Sequence, residues 1–576
     1  MNVRALSLFG VLILAKILVL IKWGAPFSLW MPVAEIWQDV LAAAAFAFVD
    51  RVMRSSRASW TFYVAAVVYI SLNVPVTLIL SSPITPAMAR ATDVALSDSI
   101  AYYANFTNVA AVLLVLLAGF ILPRFLQRVK PRSGIVITAA AAAIIAAGPF
   151  AERNVETRGL HRNAFAALWP VRVSGAVAAS STLFDESELR EPPFPASASE
   201  SLIGYRGAAA GRNVAFIILE STAAQYLGLY GAVEDPMPRL TEFASRALVF
   251  ENAYSVYPES IKGLFATLCS RYPSFNTSAE NVAAQPCTPL AQEFSRAGYR
   301  TGLFHSGRFA YLGMQSVVEG RGFETLEDAG AIGGDVHSSF GIDERSTVRR
   351  ILSWIDVLPA GQRFFFTYLP VAGHHPYAAP EPGPFAGASE MSNYRNALHY
   401  ADAGVGQLLD GLRERHLDRN TVFVIVGDHG EAFGQHTGNF GHTLYIYDEN
   451  VHVPLIVAAP GMIERQRRIA KTASLIDVAP TLADLTGVTL HSEVAGQSLL
   501  PASRAMALFF TDYSLPFFGL RDACWKYIYD AGSSRSRLFD VCHDPGETND
   551  VQVVQKLRVD AYRDRIQSWL AAISHR

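Results

Sequence analysis

Asp428 and His429 follow directly on TVFVIV, an apolar and largely β-branched run at residues 421–426. Such a run reads as a buried strand, and in open α/β sheets ligands gather where strands end. An Asp-His pair alone is more often a hydrogen-bonded turn than a metal site. A second run, NVAFIIL at 213–219, ends in Glu220. Glu220, Asp428 and His429 then form a set from distant parts of the chain that suits zinc or manganese, with a position left open for substrate. Ser260 lies in NAYSVYPESIKGLFATLCSRYPSF, just before a helix expected to begin near Ile261. A serine there is an N-cap, and it can also be a nucleophile whose developing phosphoryl charge meets backbone N–H groups and the positive end of the helix dipole. A metal would lower its pKa, so the two roles can coexist.

Further strand-like runs are ALVFENAY (247–254), RTGLF (300–304), FFFTYLP (364–370) and VPLIVAAP (453–460). Helix-like segments such as STVRRILSWIDVL and NALHYADAGVGQLLDGLRER separate most of them. The alternation predicts a mainly parallel sheet with helices on both faces, whose strand ends form one ligand face.

The first 150 residues differ in kind. Spans at 5–24, 29–49, 60–81, 107–127 and 133–149 each approach the roughly 20 apolar residues that a bilayer core requires, which predicts five transmembrane helices. The first is too long, with too many similar spans behind it, to read as a cleaved signal peptide. Arg51, Arg54 and Arg57 follow the second span, and Arg124, Arg128, Lys130 and Arg132 follow the fourth. The positive-inside rule makes both loops cytoplasmic, so an odd number of spans delivers the rest of the chain outside. Cys269, Cys287, Cys524 and Cys542 all lie in that outer part as two local pairs of equal separation. Disulfides Cys269–Cys287 and Cys524–Cys542 suit an oxidising compartment, the alternative being four buried thiols.

Lys16, Lys22, Glu35 and Asp39 are ionisable residues in or near spans, where they must pair or face water. Lys22 and Glu35 fall toward the outer face, where pairing or contact with a lipid headgroup is expected. The outer loop 82–106, with Pro83, Pro86 and SDSIAYYANF, reads as an interfacial helix or as a plain connector. Residues 151–210 read as a semi-extended linker along the membrane surface, dividing a transmembrane domain (1–150) from a catalytic domain (211–576). The balance of 48 basic and 51 acidic residues gives no electrostatic reason to expect nucleic acid.

With these residues in place, the chain resembles the alkaline phosphatase and sulfatase superfamily. Within it, the likeness is to the membrane-anchored lipid A phosphoethanolamine transferases and lipoteichoic acid synthases. The matching segments are N-V-x-F-I-x-L-E at Glu220, the nucleophile segment at Ser260 with S-R-Y-P after it, and G-Y-R-T at Gly298 to Thr301. They continue with H-x-P-Y at His374 to Tyr377, G-D-H-G-E at Gly427 to Glu431, G-H-T-L-Y at Gly441 to Tyr445 and V-P-L-I-V at Val453 to Val457. The resemblance implies an alkaline phosphatase/sulfatase-like α/β sandwich, with a mainly parallel sheet flanked by helices, behind a five-helix transmembrane bundle. It also implies that His374 and His442 contact the transferred phosphoryl group or a second metal, and that His305 and Arg308 lie where phosphoglycerol transferases bind a headgroup.

The chain departs from these families as well. Sulfatases need C/S-x-P-x-R for conversion to formylglycine, and Ser260-Ile261-Lys262-Gly263-Leu264 lacks both the proline and the arginine. The transferases commonly use threonine where Ser260 stands. The tryptophan and arginine of the phosphoglycerol transferases are unmatched. GLRDACWKYIYDAG and RLFDVCHDPGETNDV look more like sulfatases. His375, Glu431 and His436 are weaker candidates, Glu431 as a residue orienting a metal ligand and His436 as an exposed side chain.

The resulting expectation is a ping-pong phosphotransferase using one or two ions, zinc first and manganese second. Its donor would be phosphatidylethanolamine or phosphatidylglycerol, and its acceptor an envelope glycan or lipid such as lipopolysaccharide. The catalytic domain would be periplasmic or extracellular, on a multi-pass inner-membrane protein. The rivals are a membrane-anchored phosphodiesterase or sulfatase and a non-catalytic glycan-binding scaffold.

Overall fold

The computed structural model describes residues 2–23, 28–85 except 54 and 81, 100–128 except 102, 134–168 except 156 and 158, and 186–574 except 196–198, 276–278, 311–312, 339 and 514. Arg54, Lys130 and Arg132 of the basic loops, Pro86 with the following stretch to residue 99, and the linker from 169 to 185 lie outside the described residues.

Among the described residues, five helices are long and apolar enough to cross a membrane: α1 (Val3–Trp23), α2 (Met31–Val52), α3 (Ser56–Leu80), α4 (Phe106–Leu126) and α5 (Gly134–Asn154). They bury a narrow seam and leave most of their apolar surface outward, as lipid-facing helices do. Leu8, Val11 and Leu12 of α1 pack on Tyr63, Val67 and Ile70 of α3 and on Val115 of α4. Of the two alternatives for Lys22 and Glu35, pairing is not what the described residues show; the ion pair to α2 is made by Lys16. Lys16 stands 2.6 Å from Asp39 and also donates to the Glu35 carbonyl, while Asn163 Nδ2 donates to Asp39 at 2.5 Å. Asn163, from the segment after α5, thus completes the Lys16–Asp39 pair.

The outer domain is built on an eight-stranded sheet. Its strands are β1 (Asn213–Leu219), β2 (Ala247–Tyr254), β3 (Arg300–His305), β4 (Thr325–Glu327), β5 (Phe364–Leu369), β6 (Thr421–Gly427), β9 (His452–Ala458) and β10 (Arg467–Ser474); a hairpin of β7 (Ala432–Phe433) and β8 (Phe440–Gly441) stands apart. The order is β10-β2-β9-β6-β1-β5-β3-β4. Every neighbour pair is parallel except those of β9, which runs against β2 and β6. Strand β1 is buried along its whole length. Val214, Phe216 and Ile218 enter one core with Ile261, Leu264 and Phe265 of helix α6 (Ser260–Cys269). Ala215, Ile217 and Leu219 enter the other, with α7 (Glu344–Asp356) and α8 (Glu390–Glu414). Burial on both faces explains why these strands read as unbroken apolar runs.

A second sheet of four antiparallel strands, β11 (Ala507–Thr511), β12 (Phe517–Asp522), β13 (Trp525–Asp530) and β14 (Arg535–Asp540), packs on the C-terminal helix α9 (Lys556–Ser574) around Trp569. Both disulfides form as expected, Cys269–Cys287 and Cys524–Cys542. Before the sheet begins, Arg190 is fully buried and bidentate to Asp477 at 2.5 and 2.7 Å, so the chain is fixed to the outer domain well ahead of β1.

Candidate active site

β1 and β6 pair in parallel register, with Leu219 opposite Gly427, so the residues that follow, Glu220 and Asp428, emerge side by side. After Glu220 the chain turns through Ser221 at a φ of 51°, a left-handed conformation that is unusual for a non-glycine residue. It is held there by Ser221 N–H donating to Asp428 Oδ1 (2.9 Å) and by the Tyr394 hydroxyl donating to Ser221 O (2.6 Å). Asp428 Oδ1 also accepts from His429 N–H (2.7 Å), and Asp428 Oδ2 lies 3.4 Å from His429 Nε2. His429 Nδ1 is 2.9 Å from Gly430 O, and because a carbonyl only accepts, Nδ1 carries the proton and Nε2 offers its lone pair to the site.

Ser260 is the first residue of α6, and the capping role expected of it belongs to Glu259. The Glu259 carboxylate accepts from Ile261 N–H (3.0 Å) and Lys262 N–H (3.2 Å). Ser260 Oγ is thereby left for the site, at 3.0 and 3.2 Å from the two Glu220 oxygens and 3.1 Å from His429 Nε2. Behind it, Lys262 Nζ and the Tyr257 hydroxyl both bond Asp512 Oδ1 at 2.7 Å, tying α6 to the end of β11.

The donor atoms of Glu220, Asp428 and His429 lie within 4.8 Å of one another and are buried. Burial and the Asp428 charge hold the Glu220 carboxyl well above its ordinary pKa. Two buried carboxylates, an inward imidazole lone pair and a hydroxyl, with little positive charge to balance them, make a donor set that fits a divalent ion such as zinc or manganese.

A second cluster adjoins it. Glu431 Oε2 is 2.7 Å from His442 Nδ1, Glu431 Oε1 accepts from the Tyr377 hydroxyl at 2.6 Å, and the His442 ring stacks on His429 at 4.2 Å. His429, Glu431 and His442 likewise offer donor atoms within 4.8 Å of one another. His374 lies beyond, its ring 6.1 Å from that of His442, with Nδ1 donating to His375 O at 2.6 Å. The two imidazoles differ sharply. Burial would lower the His442 pKa, but the Glu431 carboxylate reverses this and raises it to about 9. Burial and the nearby His442 charge push His374 down to about 3.

The remaining candidates separate. His305 is buried at the end of β3, its Nδ1 bonded to Leu369 O (2.9 Å) and its ring stacked on Phe309. Arg308 is half-exposed and makes no hydrogen bond or ion pair with the described residues. His436, expected to be exposed, is half-buried: its Nδ1 is 2.6 Å from Glu449 and its ring stacks on Tyr447. Sequence reasoning missed Glu344. Its buried carboxylate accepts from the Ser306 hydroxyl (2.9 Å), Ala372 N–H (3.0 Å) and the Tyr368 hydroxyl (2.5 Å), joining the loop after β3 to the loop that carries His374. No local pattern marks it, because its partners come from two other strands.

The chain is similar to known proteins in sequence and in fold. Residues 212–488 match the sulfatase family model, and residues 435–574 match that of the N-sulphoglucosamine sulphohydrolase C-terminal region. The chain carries a sulfatase/alkaline phosphatase superfamily domain. Arylsulfatase K of Canis lupus familiaris is 32% identical over 188 residues, 28% of this chain and 34% of the relative. The lipoteichoic acid synthase-like YvgJ of Bacillus subtilis (strain 168) is 23% identical over 361 residues, 58% of this chain and 55% of that protein. The matches thus span about a third of the length of arylsulfatase K and just over half that of YvgJ. A crystal structure of an alkaline phosphatase superfamily protein from Vibrio parahaemolyticus shares the fold, with a TM-score of 0.55, 20% identity, and coverage of 68% of this chain and 93% of that one.

Proposed function

We propose that the chain is a metal-dependent phosphotransferase that moves a phospholipid headgroup phosphate to an envelope glycan or lipid through a covalent intermediate on Ser260. The donor is phosphatidylethanolamine or, in a second version, phosphatidylglycerol, and the catalytic domain faces outward from the inner membrane. The observation that carries this reading is the Ser260 hydroxyl, set at a helix N-terminus between Glu220 and His429, in a segment without the sulfatase proline and arginine.

Glu220, Ser260, Asp428 and His429 would hold the ion, zinc first and manganese second; when bound it would supply neutralisation of phosphoryl charge and keep Ser260 as its alkoxide. The serine proton leaves to solvent. Ser260 Oγ bonds to phosphorus as the bond from phosphorus to the glycerol oxygen breaks. The departing alkoxide takes the proton held at His442 Nε2, and diacylglycerol is released. An acceptor hydroxyl then attacks the phosphoserine diester and returns a proton to His442, and Ser260 is restored. His374, neutral and with its proton held at Nδ1, accepts at Nε2 from the headgroup or from the acceptor hydroxyl, while His305 and Arg308 line the headgroup side.

A membrane-anchored hydrolase is the second reading. It is favoured by the 32% identity to arylsulfatase K and by the C-terminal match. Intact-protein mass spectrometry after incubation with either lipid, beside Ser260→Ala, separates the two. A headgroup-phosphate adduct absent from the variant supports transfer; bound metal with no adduct from either lipid favours the hydrolase.

A further inference from the structure

Of the two loops that carry Glu431, His442 and His374, the first is seated on a membrane helix and the second on the connection between two of them. Glu431 precedes β7 and His442 follows β8, so the hairpin between them sets both residues. Phe440 in that hairpin packs on Val19 and Trp23 of α1 and on Leu160. At its tip, Gly438 has a φ of 81°, and a Cβ there would stand 3.1 Å from the Trp23 ring, so the hairpin backbone lies directly on the end of α1. On the other side of the site Tyr103, from the connection ahead of α4, stacks face to face on His375 with ring centroids 4.8 Å apart. Tyr103 also hydrogen-bonds Glu390 at the start of α8, a carboxylate on which the Lys22 charge acts too.

These contacts fall on one side of the reaction centre. From Ser260 Oγ the steps run 3.1 Å to His429 Nε2, then 4.2 Å between the rings of His429 and His442, then 6.1 Å to His374. In-line displacement puts the leaving oxygen opposite the serine, toward His442 and His374. That is the side where Trp23, Phe440 and Tyr103 stand.

We infer that the end of α1 and the connection ahead of α4 form the wall of the active site on its leaving-group side, so that the site takes substrates whose leaving or accepting half stays embedded in a bilayer, with Trp23 and Tyr103 as specificity-determining residues. The inference rests on the phosphotransfer reading above. Diacylglycerol would then depart without crossing water, and the membrane helices would shape the site as well as tether it.

The test uses the full chain in phosphatidylethanolamine-containing nanodiscs and compares headgroup release from the bilayer lipid with cleavage of the water-soluble diester bis(4-nitrophenyl) phosphate. Trp23→Ala and Tyr103→Ala are each expected to lower the ratio of lipid to soluble-ester kcat/KM by about tenfold or more. A general disturbance of His442 or His375 would slow both substrates alike, and a ratio within about twofold of the unaltered protein overturns the inference. Should the unaltered protein cleave neither diester, the phosphotransfer reading fails, and the wall is then judged separately. With p-benzoylphenylalanine in place of Tyr103, irradiation in native membranes is expected to give crosslinks to the segment 371–380 or to phospholipid. Absence of both overturns the wall.

Discussion

At the scale of single residues, the site is a set of groups whose ordinary ionisation is disturbed by burial and by each other. Glu220 and Asp428 are two acids with little to balance them, so removing a bound divalent ion restores their mutual repulsion. Treatment with a chelator is expected to abolish adduct formation on Ser260 and to lower the thermal midpoint of the outer domain, with zinc or manganese restoring both. Unchanged behaviour with verified metal removal would contradict the assigned ligand set. Glu344 gives a prediction in pH. Burial pushes its carboxyl up to about 7, against an ordinary value near 4.5, so the folded state binds this proton more tightly than the unfolded state. Its contribution to stability is therefore largest below the unfolded value and is lost as pH rises through about 7, a change on the order of 3 kcal/mol. Glu344→Gln keeps most of the hydrogen bonds without the charge and is expected to flatten the dependence of the melting midpoint between pH 5 and 7.5. A slope equal to that of the unaltered protein would exclude Glu344 as its source.

At the scale of elements, the first turn of helix α6 is held by two contacts. Glu259 caps its first N–H groups, and Lys262 reaches back to Asp512 beside β11 with both side chains nearly buried. Breaking one partner of a buried ion pair costs about 3–5 kcal/mol, whereas replacing both by apolar groups costs far less. Lys262→Met alone is expected to destabilise the outer domain strongly in chemical denaturation, and Lys262→Met with Asp512→Leu to recover much of that loss. Equal losses in the single and double variants would show that the pair does not couple the helix to the second sheet.

For the whole molecule, two disulfides staple loops of 18 residues in the outer domain, one running from the end of α6 and one joining the turn ahead of β13 to the segment after β14, across the ends of the β13–β14 hairpin. Loops of that size are stabilised by about 3 kcal/mol per bridge. Reduction is expected to lower the thermal midpoint of the outer domain and leave the helical content of the bundle intact, as followed by circular dichroism. A midpoint indifferent to reductant would remove the disulfides from the account of stability. The sulfatase-like second sheet and the membrane bundle both approach the same site, through Asp512 and through Trp23.

The sequence by itself determined what is local. Unbroken β-branched runs marked β1, β6 and their neighbours, because strands buried on both faces need no polar alternation. Five apolar lengths marked the membrane helices, and Glu220, Asp428 and His429 were legible because each directly follows a strand. The tertiary structure alone decided what depends on paths between distant segments. The direction of β9 was one such feature, since composition does not encode polarity. The buried strands of the second sheet were another, set in a segment whose motifs do not mark a sheet. The choice of Glu259 over Ser260 as cap, of Lys16 over Lys22 as the partner of α2, and of Glu431 as the partner of both His442 and Tyr377 likewise rests on side-chain reach. A residue's type fixes which bonds it can make, and only the folded chain fixes which partner stands within 3 Å of it.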